Sequence, residues 1–126
     1  MATRSRIGIQ LADESVLSVY HHWDGYPEWL GRILKTHYNT KDKVAELIDG
    51  GDMSVAWNND NQPEYYSNRG EDCPPRLDAN KYEYLADGEE YAYLFVNNEW
   101  VCYNRHPFEE NTMPTIAEIP SGALAA

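Results

Sequence analysis

The 126-residue chain has few cysteines, few basic residues and no long apolar run. Its two cysteines, Cys73 and Cys102, are far apart in sequence, which argues against a zinc knuckle or a disulfide scaffold. No apolar run approaches the length of about 18 residues that a membrane span needs, and residues 1–6 do not form a signal peptide. We therefore expect a protein of a reducing cytoplasm, without a membrane partner.

The small number of basic residues leaves a formal net charge of −11, which is unevenly distributed. Residues 1–51 carry six Lys/Arg against seven Asp/Glu, whereas residues 52–110 carry four against thirteen. A negative field repels phosphate backbones, so direct nucleic-acid binding is not expected. The charge favours a basic partner, such as the nucleic-acid-binding face of another protein, although solubility alone would also account for it.

Aromatic residues are abundant by contrast, and most of them are amphipathic. The chain has ten Tyr and four Trp but only two Phe. Such side chains favour surfaces that are half buried or that wait for a partner. They would also line the faces of a small, partly exposed sheet.

The first half of the chain predicts a β-hairpin followed by two helices. Ile7 and Ile9 belong to an alternating strand pattern, and residues 16–22 are rich in β-branched and aromatic residues. Pro27 is suited to the first position of an amphipathic helix over residues 27–38. A second helix begins after the N-cap Thr40 and ends at Gly50-Gly51.

The second half predicts strands around one long loop. A short strand over 53–57 precedes a loop over 58–80, and then a strand over 81–85 with Tyr82 and Tyr84 on one face. A hairpin of 90–96 with 99–103 follows, and its two-residue turn Asn97-Asn98 would pair Phe95 with Trp100 and Tyr93 with Cys102. The predicted fold class is α+β: a mainly antiparallel sheet with two helices on one face, in the order β-β-α-α-β-loop-β-β-β. Residues 1–106 form the single predicted domain, and residues 107–126 an extended C-terminal tail.

Polar and aromatic side chains concentrate in His21–Glu28, at the predicted strand-to-helix corner. Side chains at such a junction are held by rigid elements and remain exposed, which suits a binding surface. The candidate binding residues are Arg4, Arg6, His22, Trp23, Asp24, Tyr26 and Glu28.

Catalysis and metal binding are not predicted for this corner. His21 and His22 are adjacent on a strand, so they point to opposite faces and cannot chelate one metal together. No nucleophile elbow, phosphate loop or dinucleotide fingerprint is present, and we predict no cofactor and no catalytic residue. An acid–base pair of His22 with Asp24 or Glu28 remains open. The pattern does not decide which of the two histidines is exposed.

Structural roles for the same residues are also consistent with the sequence. Asp24 could accept backbone N–H groups around the helix start. Arg4 and Arg6 could form surface ion pairs with Asp24 or Glu28, which contribute little to stability. Alternatively, the two arginines and the helix N-terminus could form a notch for an anion.

Several motifs resemble a group of small uncharacterised proteins encoded by bacteriophages, including cyanophages. The similarity covers about residues 3–57, and the second half of the chain matches more loosely. The chain differs from the pattern at His21 and Trp29, where smaller or different residues are expected. The resemblance implies a viral origin and a host-cell cytoplasmic setting, and it implies no mechanism. The motifs are Thr3-Arg4-Ser5-Arg6-Ile7-Gly8, Tyr20-x-His22-Trp23-Asp24-Gly25-Tyr26-Pro27-Glu28, Gly31, His37-Tyr38 and Leu47-Ile48-x-x-Gly51-Asp52-x-Ser54.

Three functions are consistent with these observations. The first is a non-enzymatic phage accessory protein that binds a host or phage macromolecule, for example as an acidic inhibitor of a nucleic-acid-binding protein. The second is a small enzyme or anionic-ligand-binding protein that uses the corner around Asp24, with a pocket capped by residues 58–80. The third is a virion or assembly component that self-associates as a homo-oligomer.

Overall fold

The N-terminal hairpin lies at the centre of a mixed eight-stranded sheet. The computed structural model describes residues 3–107, 109 and 111–120. The strands are β1 Ser5–Gln10, β2 Val16–His21, β3 Met53–Val55, β4 Glu64–Tyr65, β5 Arg76–Asp78, β6 Tyr91–Val96, β7 Glu99–Asn104 and β8 Thr115–Ala117. The helices are α1 Arg32–His37, preceded by a π-helical turn Pro27–Gly31, then α2 Lys41–Asp49, a 3-10 turn Tyr66–Arg69, and α3 Lys81–Ala86.

The sheet order is β4-β3-β2-β1-β6-β7-β8, with β5 also paired to β2. The pairings β1 with β6 and β2 with β3 are parallel, and the other pairings of the described chain are antiparallel. Because β1 occupies one side of β2, β5 and β3 divide the other side between them. Between these two strands, the Asp52 carboxylate accepts a hydrogen bond of 2.8 Å from the backbone N–H of Tyr20. The fold class α+β is therefore confirmed.

The main core lies between one face of the sheet and helices α1 and α2; we call this the helical face. Alternating residues of the central strands, among them Ile7, Val19 and Tyr93, are fully buried there. The inward apolar side chains of the two helices and of the preceding π-helical turn cover them: Leu30, Ile33, Leu34, Val44, Leu47 and Ile48. The predicted helix start at Pro27 and the Thr40 cap are confirmed, and Thr40 Oγ1 accepts from the N–H of Lys43 at 3.3 Å.

A smaller core lies on the opposite face, under α3. Tyr84 is fully buried there against Val16 and Leu94. A Cβ on Gly8 would lie 3.1 Å from Cζ of Tyr84 and 3.0 Å from Cγ1 of Val16, so glycine lets the ring lie on β1. The Tyr84 hydroxyl donates to the carbonyl of Tyr93 at 2.7 Å, which satisfies both groups in the core.

The predicted strand over 81–85 is wrong, because this segment is helix α3. The side chain of Asn80 accepts a hydrogen bond of 3.0 Å from the N–H of Glu83, and this N-cap starts the helix. The alternation of Tyr82 and Tyr84 suggested two residues on one face. In the helix Tyr84 is buried, whereas Tyr82 is 77% exposed.

The register predicted for the later hairpin is confirmed: Phe95 pairs with Trp100 and Tyr93 with Cys102. The turn residues Asn97 and Asn98 both have positive φ, as a two-residue turn requires. The predicted loop over 58–80 contains the short strands β4 and β5. Within the predicted tail, β8 pairs with β7, so the sheet continues beyond residue 106.

Candidate functional site

Residues 22–26 form the turn between β2 and the helix that starts at Pro27. The N–H of Gly25 donates to the carbonyl of Thr3 at 2.8 Å, and its own carbonyl accepts from the Tyr93 hydroxyl at 2.7 Å. A Cβ on Gly25 would lie 2.5 Å from Oγ of Ser5. The corner is therefore anchored to the sheet through a residue that has no room for a side chain.

The two adjacent histidines lie on opposite faces of the sheet, as the strand period requires. His21 is fully buried on the helical face, with Nδ1 3.4 Å from Oγ of Ser5, and its Nε2 has no hydrogen-bond partner among the described residues. Burial, and secondly the neighbouring His22, lower its pKa from 6.5 to about 3. His21 is thus a neutral core residue at physiological pH.

His22 is half-buried on the opposite face and lies beside two aromatic rings. Its Nδ1 is 2.6 Å from the hydroxyl of Tyr20, and its ring meets the Trp23 indole edge-on at a centroid distance of 4.6 Å. Trp23 is 47% exposed. Asp24 and Glu28 are also exposed, and neither side chain makes a hydrogen bond or ion pair to another described residue. The structure therefore pairs His22 with a tyrosine, and not with a carboxylate.

The expected contacts of Asp24 and the two arginines are wrong. Tyr26 is the N-cap residue of the helical turn, and no side chain caps it. Arg6 points to the face opposite α1, where Nε donates to Oγ of Ser18 at 3.0 Å and Nη2 to the Ser18 carbonyl at 3.1 Å. Arg4 is exposed, and no ion pair joins either arginine to Asp24 or Glu28 in the described chain. The strand period separates Arg6 from the helix start, so the predicted notch does not form.

A concave site lies away from the corner, between α2 and residues 57–65; we call it the α2 groove. It has a volume of about 460 Å³. The loop wall is held by Asn58, whose side-chain oxygen accepts from the N–H groups of Asp60 and Gln62 at 2.8 and 3.0 Å. The residues lining the groove are Tyr38, Lys43, Glu46, Leu47, Asp49, Gly50, Trp57, Asn61, Gln62, Pro63 and Tyr65.

Three aromatic rings are held rigidly in the α2 groove. The hydroxyl of Tyr38 donates to the Ala56 carbonyl at 2.8 Å, and that of Tyr65 to the Leu47 carbonyl at 2.7 Å. The Tyr65 ring passes over Gly50, where any Cβ would collide with it. Both hydroxyls are therefore committed as donors to the backbone.

The third ring, Trp57, is stacked on His37 with a centroid distance of 3.7 Å and an interplanar angle of 7°. It also meets Tyr38 edge-on at 6.2 Å. Burial, and secondly Lys43, lower the pKa of His37 below its ordinary value, so the stack is uncharged at neutral pH. One face of the indole is thus covered by a neutral ring.

Two carboxylates lie close to these rings. Burial raises the pKa of Tyr38 to about 12, and Glu46 adds to the shift. Burial, and then the charges of Tyr38, Glu46 and Asp49, raise the pKa of Tyr65 well above its ordinary value. The α2 groove therefore combines aromatic surface with two carboxylates, against the single ammonium group of Lys43.

Sequence reasoning missed this groove. The surplus of Tyr and Trp was the available signal, but it did not show that Tyr38, Trp57 and Tyr65 would meet. Two smaller grooves, of about 320 and 250 Å³, lie at the turn that joins β6 and β7. None of these three grooves is lined by the candidate residues of the corner.

In the part of the chain that the structure describes, no group of three His, Cys, Asp or Glu side chains is placed to hold a metal ion. Among those same residues, no helix has the length and apolar character to cross a membrane. Comparison of the chain with known protein families, with curated proteins and with solved structures found no match.

Proposed function

We propose that the protein is a non-enzymatic binding protein whose α2 groove takes a basic segment of a partner protein. One observation carries this proposal: Glu46 and Asp49 lie beside three fixed aromatic rings in a groove of about 460 Å³. Aromatic faces attract Lys and Arg side chains, with a contribution of about 0.5–2 kcal/mol depending on desolvation. Carboxylates beside such a ring add charge-assisted hydrogen bonds.

The segment that surrounds the α2 groove also carries a net negative charge. Residues 41–65 contain two lysines against six Asp/Glu. The hydroxyls of Tyr38 and Tyr65 already donate to carbonyls, so the ionisable acceptors left for a ligand are carboxylates. A groove with these acceptors favours a donor-rich, positively charged side chain, and an arginine meets that description best.

The partner class follows from this chemistry and from the phage resemblance. We propose that the chain is a phage accessory protein of the host cytoplasm that acts on a host or phage protein. A nucleic-acid-binding protein offers exposed Arg and Lys, so the chain would act as an acidic inhibitor of such a protein. Direct binding of nucleic acid is not part of the proposal, because the net charge of −11 opposes it.

The test measures the binding of a short fluorescent oligoarginine peptide, and of its citrulline counterpart, by fluorescence anisotropy at about 150 mM salt. The double variant Glu46→Gln/Asp49→Asn should weaken peptide binding about tenfold, equivalent to about 1.4 kcal/mol. The matched control Glu83→Gln/Glu118→Gln removes the same charge from exposed positions elsewhere. It should stay within about twofold of the wild type, because distant exposed charges are screened.

Two results would contradict the proposal. Equal affinity for the citrulline peptide would show that charge is not recognised. An equal loss in the two double variants would show a response to net charge and not to the groove.

A further inference from the structure

Arg6 is a buried cation that pairs with no carboxylate among the residues that the structure describes. It is 9% exposed, and its recorded hydrogen bonds go to the hydroxyl and carbonyl of Ser18, both of which are neutral. No carboxylate lies within 4.0 Å of its nitrogens in the described chain. Burying an arginine in this way is costly unless an anion compensates its charge.

A second guanidinium lies on the same side of the sheet. Arg76 of β5 is the cross-strand neighbour of Ser18, so Arg6 and Arg76 approach this serine from its two sides. Arg76 is compensated, with Nε 2.9 Å from Asp78 and Nη1 3.8 Å from Asp87. Burial and then the charge of Arg76 lower the pKa of Arg6, and the opposing effects of Tyr84, Asp52 and Asp78 do not cancel them. Arg6 is thus a desolvated cation beside a second guanidinium that already has carboxylate partners.

The turn at Asp87-Gly88 brings these side chains together. A Cβ on Gly88 would lie 3.3 Å from Cδ of Arg6 and 3.8 Å from Cδ of Arg105. Arg105 donates to the carbonyls of Leu85, Ala86 and Glu89 at 2.7–3.1 Å, and it pairs with no carboxylate of the described chain. Three arginines therefore meet at one turn, and two of them pair with no carboxylate among the described residues.

We propose that Arg6, with Arg76 beside it, binds a phosphate-type oxyanion next to the Asp87-Gly88 turn. Nη1 of Arg6 makes no hydrogen bond to any described residue, so it is the guanidinium nitrogen left for a ligand. The planar guanidinium matches the geometry of a phosphate, and a dianion compensates more charge than a carboxylate does. This site lies on the face opposite α2 and is independent of the proposed peptide groove.

The experiment is a titration of the full chain with inorganic phosphate at constant ionic strength. Binding is monitored by NMR through the ¹⁵N side-chain resonances of the arginines. We expect a saturable shift of the Nε–Hε resonance of Arg6. The variant Arg6→Gln should weaken phosphate binding at least about tenfold. The control Arg69→Gln, at an exposed arginine that lies over the Tyr66 ring and 4.0 Å from Glu64, should bind within about twofold of the wild type.

Parallel titrations with acetate and chloride identify the anion. Saturation by acetate as tight as by phosphate would overturn the phosphate assignment, and a linear response to all three anions would overturn the site. If Arg6→Gln fails to fold, the proposal is tested by the shift of the Arg6 resonance in the wild type and by the phosphate affinity of Arg76→Gln. No shift at Arg6, or unchanged affinity in Arg76→Gln, refutes the proposal.

Discussion

The buried His21 makes stability depend on pH in a calculable way. Its pKa is lowered from 6.5 to about 3 in the folded protein, because burial disfavours the imidazolium. The unfolded chain takes up a proton below about pH 6.5, while the folded chain stays neutral until about pH 3. The contribution is therefore fully present above pH 6.5 and is lost as the pH falls between these values.

The magnitude follows from about 1.36 kcal/mol per pKa unit. Between pH 6.5 and pH 3 the titration of His21 would lower the free energy of unfolding by about 4–5 kcal/mol, a large part of the total for a small domain. Between pH 7 and pH 5 the same titration removes about 2 kcal/mol. This interval lies above the titration of most carboxylates, so it isolates the histidine contribution.

The assay is urea denaturation of the wild type and of His21→Gln at pH 7 and pH 5. The variant carries a neutral polar side chain, so its free energy of unfolding should fall by about 2 kcal/mol less than that of the wild type. The other histidines are common to both proteins and cancel in the comparison. An equal loss in both proteins, or titration of the His21 ring above pH 5 in the folded protein by NMR, would refute the reasoning.

Three further changes test the packing of α3. Gly8→Ala should destabilise the protein by about 1–3 kcal/mol, since the new methyl group meets Val16 and the Tyr84 ring at 3.0–3.1 Å; urea denaturation measures this. Tyr84→Phe should cost about 1–3 kcal/mol in the same assay, because the buried carbonyl of Tyr93 loses its donor. Asn80→Ala should cost about 1 kcal/mol and increase amide exchange in the first turn of α3, and unchanged exchange would contradict the capping role.

The elements predicted correctly are those with a strong local signal. Thr40 and Pro27 mark helix starts by their own chemistry, and Asn97-Asn98 fixes a turn and with it the register of β6 and β7. The opposite faces of His21 and His22 follow from the strand period alone. These features need no knowledge of distant residues.

The features that were missed depend on distant contacts. Strands β4 and β5 are two and three residues long and exist because β3 and β2 offer them an edge. Helix α3 was missed because the alternation of Tyr82 and Tyr84 is typical of a strand, and the start of the helix depends on one side chain, that of Asn80. The α2 groove depends on Tyr38 and Tyr65 meeting across a sequence separation that no local pattern records.

The side of β2 opposite β1 is shared by β3 and β5, and this arrangement has a consequence for the solubility of the protein. An uninterrupted border of a sheet presents a row of free N–H and C=O groups, on which a strand from another molecule can add. Here β5 covers one end of β2 and β3 the other, and the carboxylate of Asp52 occupies the N–H of Tyr20 between them. An arriving strand would have to displace two short partners and one acid before it could pair, so this side of the hairpin resists intermolecular aggregation.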